Sequence, residues 1–265
     1  MSAESEDSEK QKIASIKRIQ LGEIFNIGSN RKYLLDVTYN VRDYAWKTQH
    51  VEELTDGIFQ EIEDGKANAS SASPYLLGLV TCSRRNQEKE DEMQVGEIWE
   101  LLDGQQRLIT ISLLYAAMRD RLRALITHDM PERDDADAIE EVADDIQKRL
   151  FYYKKKTKQA VARIEMQSFS KYPHREIMNG SLTLNNITSV AKKNLQEDQA
   201  LIAQHFEHLG EQLHGWGYDQ LQQLNDYMEH NIYVDFKDDS FERAIQAISQ
   251  QGKGQDVDTI DWVSG

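Results

Sequence analysis

Cysteine is nearly absent: Cys82 is the single one in 265 residues. No internal disulfide can form, and a reducing compartment, the cytoplasm, is the natural setting. Cys82 ends an apolar run, which makes it a buried structural thiol rather than a reactive one. Long apolar runs are also missing, none approaching the ~18 residues that a membrane span needs. The start, Met1 to Lys12, is acidic and polar, without the basic-then-apolar pattern of a secretory signal. Positive charge is scarce too, with 31 Lys and Arg against 46 Asp and Glu, a net charge of −15. Nonspecific DNA binding draws its affinity from phosphate neutralisation, so this surface cannot supply it overall. Any nucleic-acid contact must be local, or must come from a partner or another domain. No Walker A sequence and no internal repeat occur, which excludes a P-loop and a repeat array.

What is present suits a globular protein: 39% hydrophobic and 29% charged residues, in a chain long enough for a real core. Met1 to Lys12 is charged and poor in apolar residues, a disordered tail. Ile13 to Phe25 mixes spacings and reads as a short helix or strand. Tyr33 to Tyr39 reads as a strand, and His50 to Ile62 as a helix with Val51, Leu54, Ile58 and Ile62 on one face. Gly65 to Pro74 is a small, polar loop. Tyr75 to Thr81 is a strand, and the charged stretch Arg84 to Gln94 leads from it into a further strand, Val95 to Leu102.

Beyond Ile126 the composition shifts. Asp129 to Asp145 carries nine acids against one Arg and reads as a solvated helix buried along Ile139, Val142 and Ile146. Lys148 to Met166 reads as a β-hairpin or a continuing helix. Within it, Lys154, Lys155, Lys156 and Lys158 stand beside Phe151, Tyr152 and Tyr153. That patch is either a local nucleic-acid contact or a solvated face balancing the acidic helix. Ser181 to Gly215 and Tyr218 to His230 are helical in pattern. Asn231 to Phe236 is a β-run, and Ser240 to Ser249 a short helix. The expected organisation is a tail (1–12), a mixed domain (13–128), a mainly helical region (129–230) and a returning strand and helix (231–265). The fold class is α+β.

One stretch carries chemistry. Ile98 to Leu102 has strand length, Asp103-Gly104 breaks it, and Leu108, Ile111, Tyr115, Met118 and Leu122 then recur at helical spacing. Gly104 permits a positive φ or a close approach to a ligand. Gln105, Gln106 and Arg107 fall near the first helical turn, where unpaired N–H groups and the dipole favour an anion. Arg107 adds a planar cation suited to phosphate or carboxylate. The alternatives are plain: Asp103 as an N-cap, and the glutamines solvated.

Asp103-Gly104-Gln105-Gln106-Arg107, followed by an apolar helix, resembles the DGQQR signature of the GmrSD-type restriction family. Upstream, Arg42, Tyr44 and Trp46 match that family's Ile-Pro-x-Tyr-Gln-Arg-x-Tyr-x-Trp pattern, while Thr38, Asn40 and Val41 depart from it. Tyr75-Leu-Leu-Gly78-Leu-Val80 resembles a family strand. Gly254 to Val263 is a faded echo of a later segment. The likeness covers residues 20–125 well and the remainder loosely.

The resemblance implies a ParB/sulfiredoxin-like mixed sheet with helices, joined to a mainly helical second half and a late returning strand. It further implies binding and hydrolysis of a nucleoside triphosphate (NTP) within a modification-dependent anti-phage system. Asp103, Gln105 and Gln106 would handle water or Mg²⁺, with Arg107 on phosphate. Arg42, Tyr44, Trp46, Gly104 and Arg107 would hold the nucleotide. Modified DNA would be met through a partner or a missing domain, with the nuclease on another domain or subunit, since no His-Asn-His set is present here. A regulatory module that senses nucleotide or DNA without catalysis is the alternative.

Other constellations are weaker. His205 and His208 share a helical face, but zinc requires further ligands, so interhelical or surface histidines are the simpler reading and no metal site is assigned. No Ser/His/Asp or Cys/His nucleophilic set is supported, His174 included.

Overall fold

The computed structural model describes residues 16–27, 33–38, 42–63, 73–84, 97–129, 133–153, 160–166, 171–191 and 195–240. The expected tail, the lysines at 154–158, the helix beyond Ser240 and the echo at 254–263 lie outside the described residues. In chain order the elements are β1 (Ile16–Gln20), α1 (Leu21–Ile24), β2 (Tyr33–Val37), α2 (Thr48–Glu63), β3 (Tyr75–Arg84) and β4 (Glu97–Asp103). There follow α3 (Gln105–Asp129), α4 (Arg133–Leu150), β5 (Phe151–Tyr153), β6 (Ala160–Ala162) and β7 (Ile164–Met166). The last are α5 (Lys171–Asn179), α6 (Thr188–Ala191), α7 (Glu197–Gln212), α8 (Tyr218–His230) and β8 (Ile232–Asp238).

Six strands form a mixed sheet in the order β1-β8-β3-β4-β2-β7, and β5 and β6 form a separate antiparallel pair. The α+β reading of the sequence, a mixed sheet with helices, is what the chain adopts. The late strand β8 returns between β1 and β3, antiparallel to the first and parallel to the second. Its alternation shows why: Ile232, Val234 and Phe236 are buried while Tyr233, Asp235 and Lys237 between them are not. β2 differs, with all five residues buried, which suits a strand lying between two parallel neighbours, β4 and β7.

Behind the sheet runs α3, buried around most of its circumference from Leu108 to Leu122, polar Thr110, Ser112 and Arg119 included. A helix apolar on nearly every side belongs inside a fold, and α3 packs against α4, α5, α7 and α8. Arg119 is fully buried because its guanidinium donates to Gln147 Oε1 and to the carbonyls of Ile177 and Met178, beside Asp120. The acidic α4 keeps Ile139 and Ile146 inside and meets α3 at the surface through Arg123 with Asp144, 2.8 Å.

Two open readings resolve and one changes. Ile13 to Phe25 contains a strand followed directly by a helical turn, and Lys148 to Met166 ends α4 at Leu150 before the β5–β6 pair. Ser181 to Gly215 is not one helix. Asn186 Oδ1 accepts the Thr183 N–H and Ser189 Oγ donates to the Asn186 carbonyl, side-chain bonds that favour a turn over a continuing helix. The helix α7 begins only after Gln196, whose N–H is met by Gln199. Among the described residues no helix is long and apolar enough to cross a membrane.

Candidate functional site

The stretch singled out in the sequence folds as strand, turn and helix: β4, Gly104, α3. Asp103 is exposed, and its Oδ1 accepts the Gly104 N–H at 2.8 Å. Gly104 adopts φ +90°, a conformation that other L-residues reach only at a cost. Its carbonyl receives the first helical bond, from Leu108 N–H at 3.2 Å. The N–H groups of Gln105, Gln106 and Arg107 have no acceptor among the described residues, as expected for a helix start. The close approach that glycine permits here is to β3: a Cβ on Gly104 would stand 2.8 Å from Val80 Cγ2 and 3.2 Å from the Leu79 carbonyl oxygen.

Gln106 joins the two motifs. Its Oε1 accepts the N–H groups of Ala45 (2.8 Å) and Trp46 (3.2 Å), and its Nε2 donates to the Asp43 carbonyl at 2.9 Å. One amide side chain therefore pairs the irregular backbone at 43–46, which has no strand or helix partner of its own. The Arg42–Trp46 segment is thereby fixed against the first turn of α3. Gln105, next to it, is buried at 8% exposure with Oε1 unpartnered among the described residues.

Arg107 turns to β3. Its terminal nitrogens donate to the carbonyls of Leu77 (3.0 Å) and Leu79 (2.7 Å), astride Gly78. Gly78 has φ +107°, the β3–β8 register shifts between Leu76 and Gly78, and a Cβ there would lie 2.2 Å from Arg107 Nη1. The guanidinium thus seals a β-bulge, although it carries more donors than these two bonds use. Burial raises the Tyr75 phenol above its ordinary value, with nearby Arg107 pulling the other way.

On the far side of the segment, Tyr44 is buried at 1% exposure. Its hydroxyl lies 2.8 Å from Thr110 Oγ1 and 3.0 Å from His205 Nδ1, and Thr110 Oγ1 in turn donates to the Gln106 carbonyl at 2.9 Å. Burial pushes the Tyr44 phenol up and lowers His205 to about 4, with His208 and His50 adding to the second shift. Trp46 is half-buried against His50, ring centroids 5.9 Å apart. Arg42 is exposed, and its side chain forms no hydrogen bond or ion pair among the described residues.

The expected residues therefore divide. Gln106 is bonded to the segment that carries Arg42, Tyr44 and Trp46. Asp103 and Arg42 are exposed and available, while Gly104 and Arg107 face β3. No bond among the described residues links Arg42 directly to Asp103 or Arg107. His205 and His208 go to different partners, Tyr44 and Glu52, the latter 3.4 Å away. Sequence reading gave His205 an interhelical or surface place without a named partner, and it missed the roles of Thr110 and Gly78. The positions of Thr110, one turn after Gln106, and of Gly78, the fourth residue of a strand, were visible, but their partners were not. His174 Nε2 meets Ser112 Oγ at 3.2 Å in the core, where Ser112 already donates to the Ile109 carbonyl, so the pair is packing and not a nucleophile. Cys82 is buried, and burial raises its thiol.

The sequence model of the GmrSD restriction endonuclease N-terminal domain matches residues 41–253, more than half of the chain. No curated protein matches it.

Proposed function

We propose, for a chain that belongs to the GmrSD restriction endonuclease N-terminal-domain family, that the turn after β4 and the Arg42–Trp46 segment together bind an NTP within a restriction system. Family membership makes the chain a component of such a system. The single observation that supports the nucleotide reading is Gln106, whose amide ties the two motif segments into one surface. The groups this reading uses are Arg42, an exposed cation without a bond among the described residues, the second carboxylate oxygen of Asp103, and the N–H groups that open a 25-residue helix. Backbone N–H groups and a guanidinium serve phosphates, Trp46 offers a stacking face, and Asp103 can meet Mg²⁺. Hydrolysis needs chiefly positioning and charge stabilisation, which Asp103 and Arg107 would provide with the ion. Modified DNA and a nuclease partner would be engaged elsewhere in the system.

A second reading, nucleotide sensing without hydrolysis in support of a separate nuclease, has its own observation. Both ends of the Gln106 amide are occupied by backbone, which removes it as an organiser of water. Phosphate release from ATP, GTP and CTP with Mg²⁺, measured with and without DNA, separates the two. Hydrolysis predicts release by the wild type and loss of at least 10-fold in Asp103→Asn, which keeps the Gly104 hydrogen bond, while nucleotide still raises the melting temperature of both. Stabilisation by nucleotide with no release over hours selects the sensing reading. No stabilisation by any nucleotide at millimolar concentration contradicts both.

A further inference from the structure

Gln106 is not held by its own helix alone. Behind it runs a buried line of polar groups, from His205 on α7 through the Tyr44 hydroxyl to Thr110 on α3 and the Gln106 carbonyl. Thr110 has a single hydroxyl hydrogen. If that hydrogen goes to the Gln106 carbonyl, Tyr44 must donate to Thr110, and His205 must donate to Tyr44 from Nδ1. Three hydrogen bonds then form, and His205 keeps a bare Nε2. The reverse direction has Thr110 donating to Tyr44 and Tyr44 to Nδ1, which makes only two. It also places a hydrogen on Nε2, which is buried and has no partner among the described residues. Buried, orphaned N–H groups are rarer than under-used acceptors, and the extra bond has the same sense. The direction is therefore from α7 into α3.

We infer that His205 is the positioning residue of the site, donating from Nδ1 to Tyr44 and through it and Thr110 fixing the turn and the Asp43–Trp46 backbone that Gln106 holds. His205 acts through Tyr44 and not on a ligand. Its ring also stands in a T-shaped contact with Tyr44, centroids 5.6 Å apart, so the imidazole packs against the phenol whose hydroxyl it meets. The segment is fixed twice, by Gln106 at its amides and by His205 at the one side chain it buries. The consequence for nucleotide affinity rests on the reading of the site given above, whereas the positioning itself does not.

The test begins without ligand. Nitrogen-15 NMR of the histidine rings is expected to show His205 protonated on Nδ1 and bare on Nε2. Hydrogen exchange at the Ala45 and Trp46 amides is then compared in the wild type, His205→Asn, His205→Phe and Tyr44→Phe. Asparagine places an N–H donor near the Nδ1 position, so His205→Asn keeps protection within about threefold. His205→Phe and Tyr44→Phe lose at least 10-fold, with the Phe206 and Leu209 amides of α7 unchanged. Tyr44→Phe removes a single oxygen and carries the test if His205→Phe does not fold. A proton on Nε2, or equal protection in all four proteins, overturns the inference. With nucleotide, His205→Phe is expected to weaken binding at least 10-fold and His205→Asn to restore it. A wild type that binds no nucleotide defeats the proposed function, and the exchange data still decide the positioning role. A wild type that binds, with both His205 variants binding as tightly as it does, defeats the effect on affinity and leaves the function standing.

Discussion

Two buried histidines make the protein sensitive to acid. His174 and His205 are each lowered by burial from 6.5 to about 4. Between those values the unfolded chain binds protons that the folded chain refuses, so this stability is present above about pH 6.5 and is lost as pH falls toward 4. Each histidine contributes a slope of up to ~1.4 kcal/mol per pH unit in that window. Urea denaturation from pH 7 to 4.5 is expected to show the decline, with a shallower slope in His205→Asn; an unchanged slope would contradict it. At this scale the sequence was half legible. The strand, turn and helix start of the DGQQR stretch were readable from its residue types. That Gln106 would bind main chain at 43–46, or that Arg107 would cover Gly78, depends on long-range pairing that no local spacing encodes. His205 lies 161 residues from the tyrosine it meets, and its helical-face pattern with His208 pointed to an interhelical or surface place without naming the partner.

The β3 bulge is the element on which the site leans. Its positive-φ glycine and the guanidinium over it form one device: Gly78 leaves room for Arg107, and Arg107 pairs the carbonyls of Leu77 and Leu79. Gly78→Ala brings a Cβ against the guanidinium and a φ that alanine disfavours by about 1–2 kcal/mol. We expect it to lower stability by roughly 2–3 kcal/mol, adding the loss of an arginine–carbonyl bond. Because Arg107→Ala removes the clash, the double variant should fall short of the sum of the single losses by about 1 kcal/mol. Strict additivity in denaturant melts would show that the two act separately. Elements themselves were well signalled. The helical repeat of Val51, Leu54, Ile58 and Ile62 is strong because burial imposes it on one face along several turns, whereas α3 is marked by burial on nearly every side. Ser181 to Gly215 misled because Asn186 and Ser189 divert the backbone with side-chain bonds, which apolar spacing does not register.

For the whole molecule, one contiguous core runs from Ile19 to Phe236, and β8 sits between β1 and β3 in the same sheet as the motif strands. The late strand is therefore part of the layer that carries the site. The chain's net charge is −15, so an anionic ligand must be drawn by local groups, and among those expected from the sequence Arg42 is the exposed cation without a bond among the described residues. The central claim is that the two motif segments joined by Gln106 form one nucleotide site. The most direct measurement is calorimetric titration of the wild type and Arg42→Ala with ATP, GTP and CTP in the presence of Mg²⁺. Saturable binding of at least one nucleotide by the wild type, weakened at least 10-fold in Arg42→Ala with the melting temperature unchanged, is the predicted result. Equal affinity in the two proteins, or no heat of binding with any nucleotide, would contradict it.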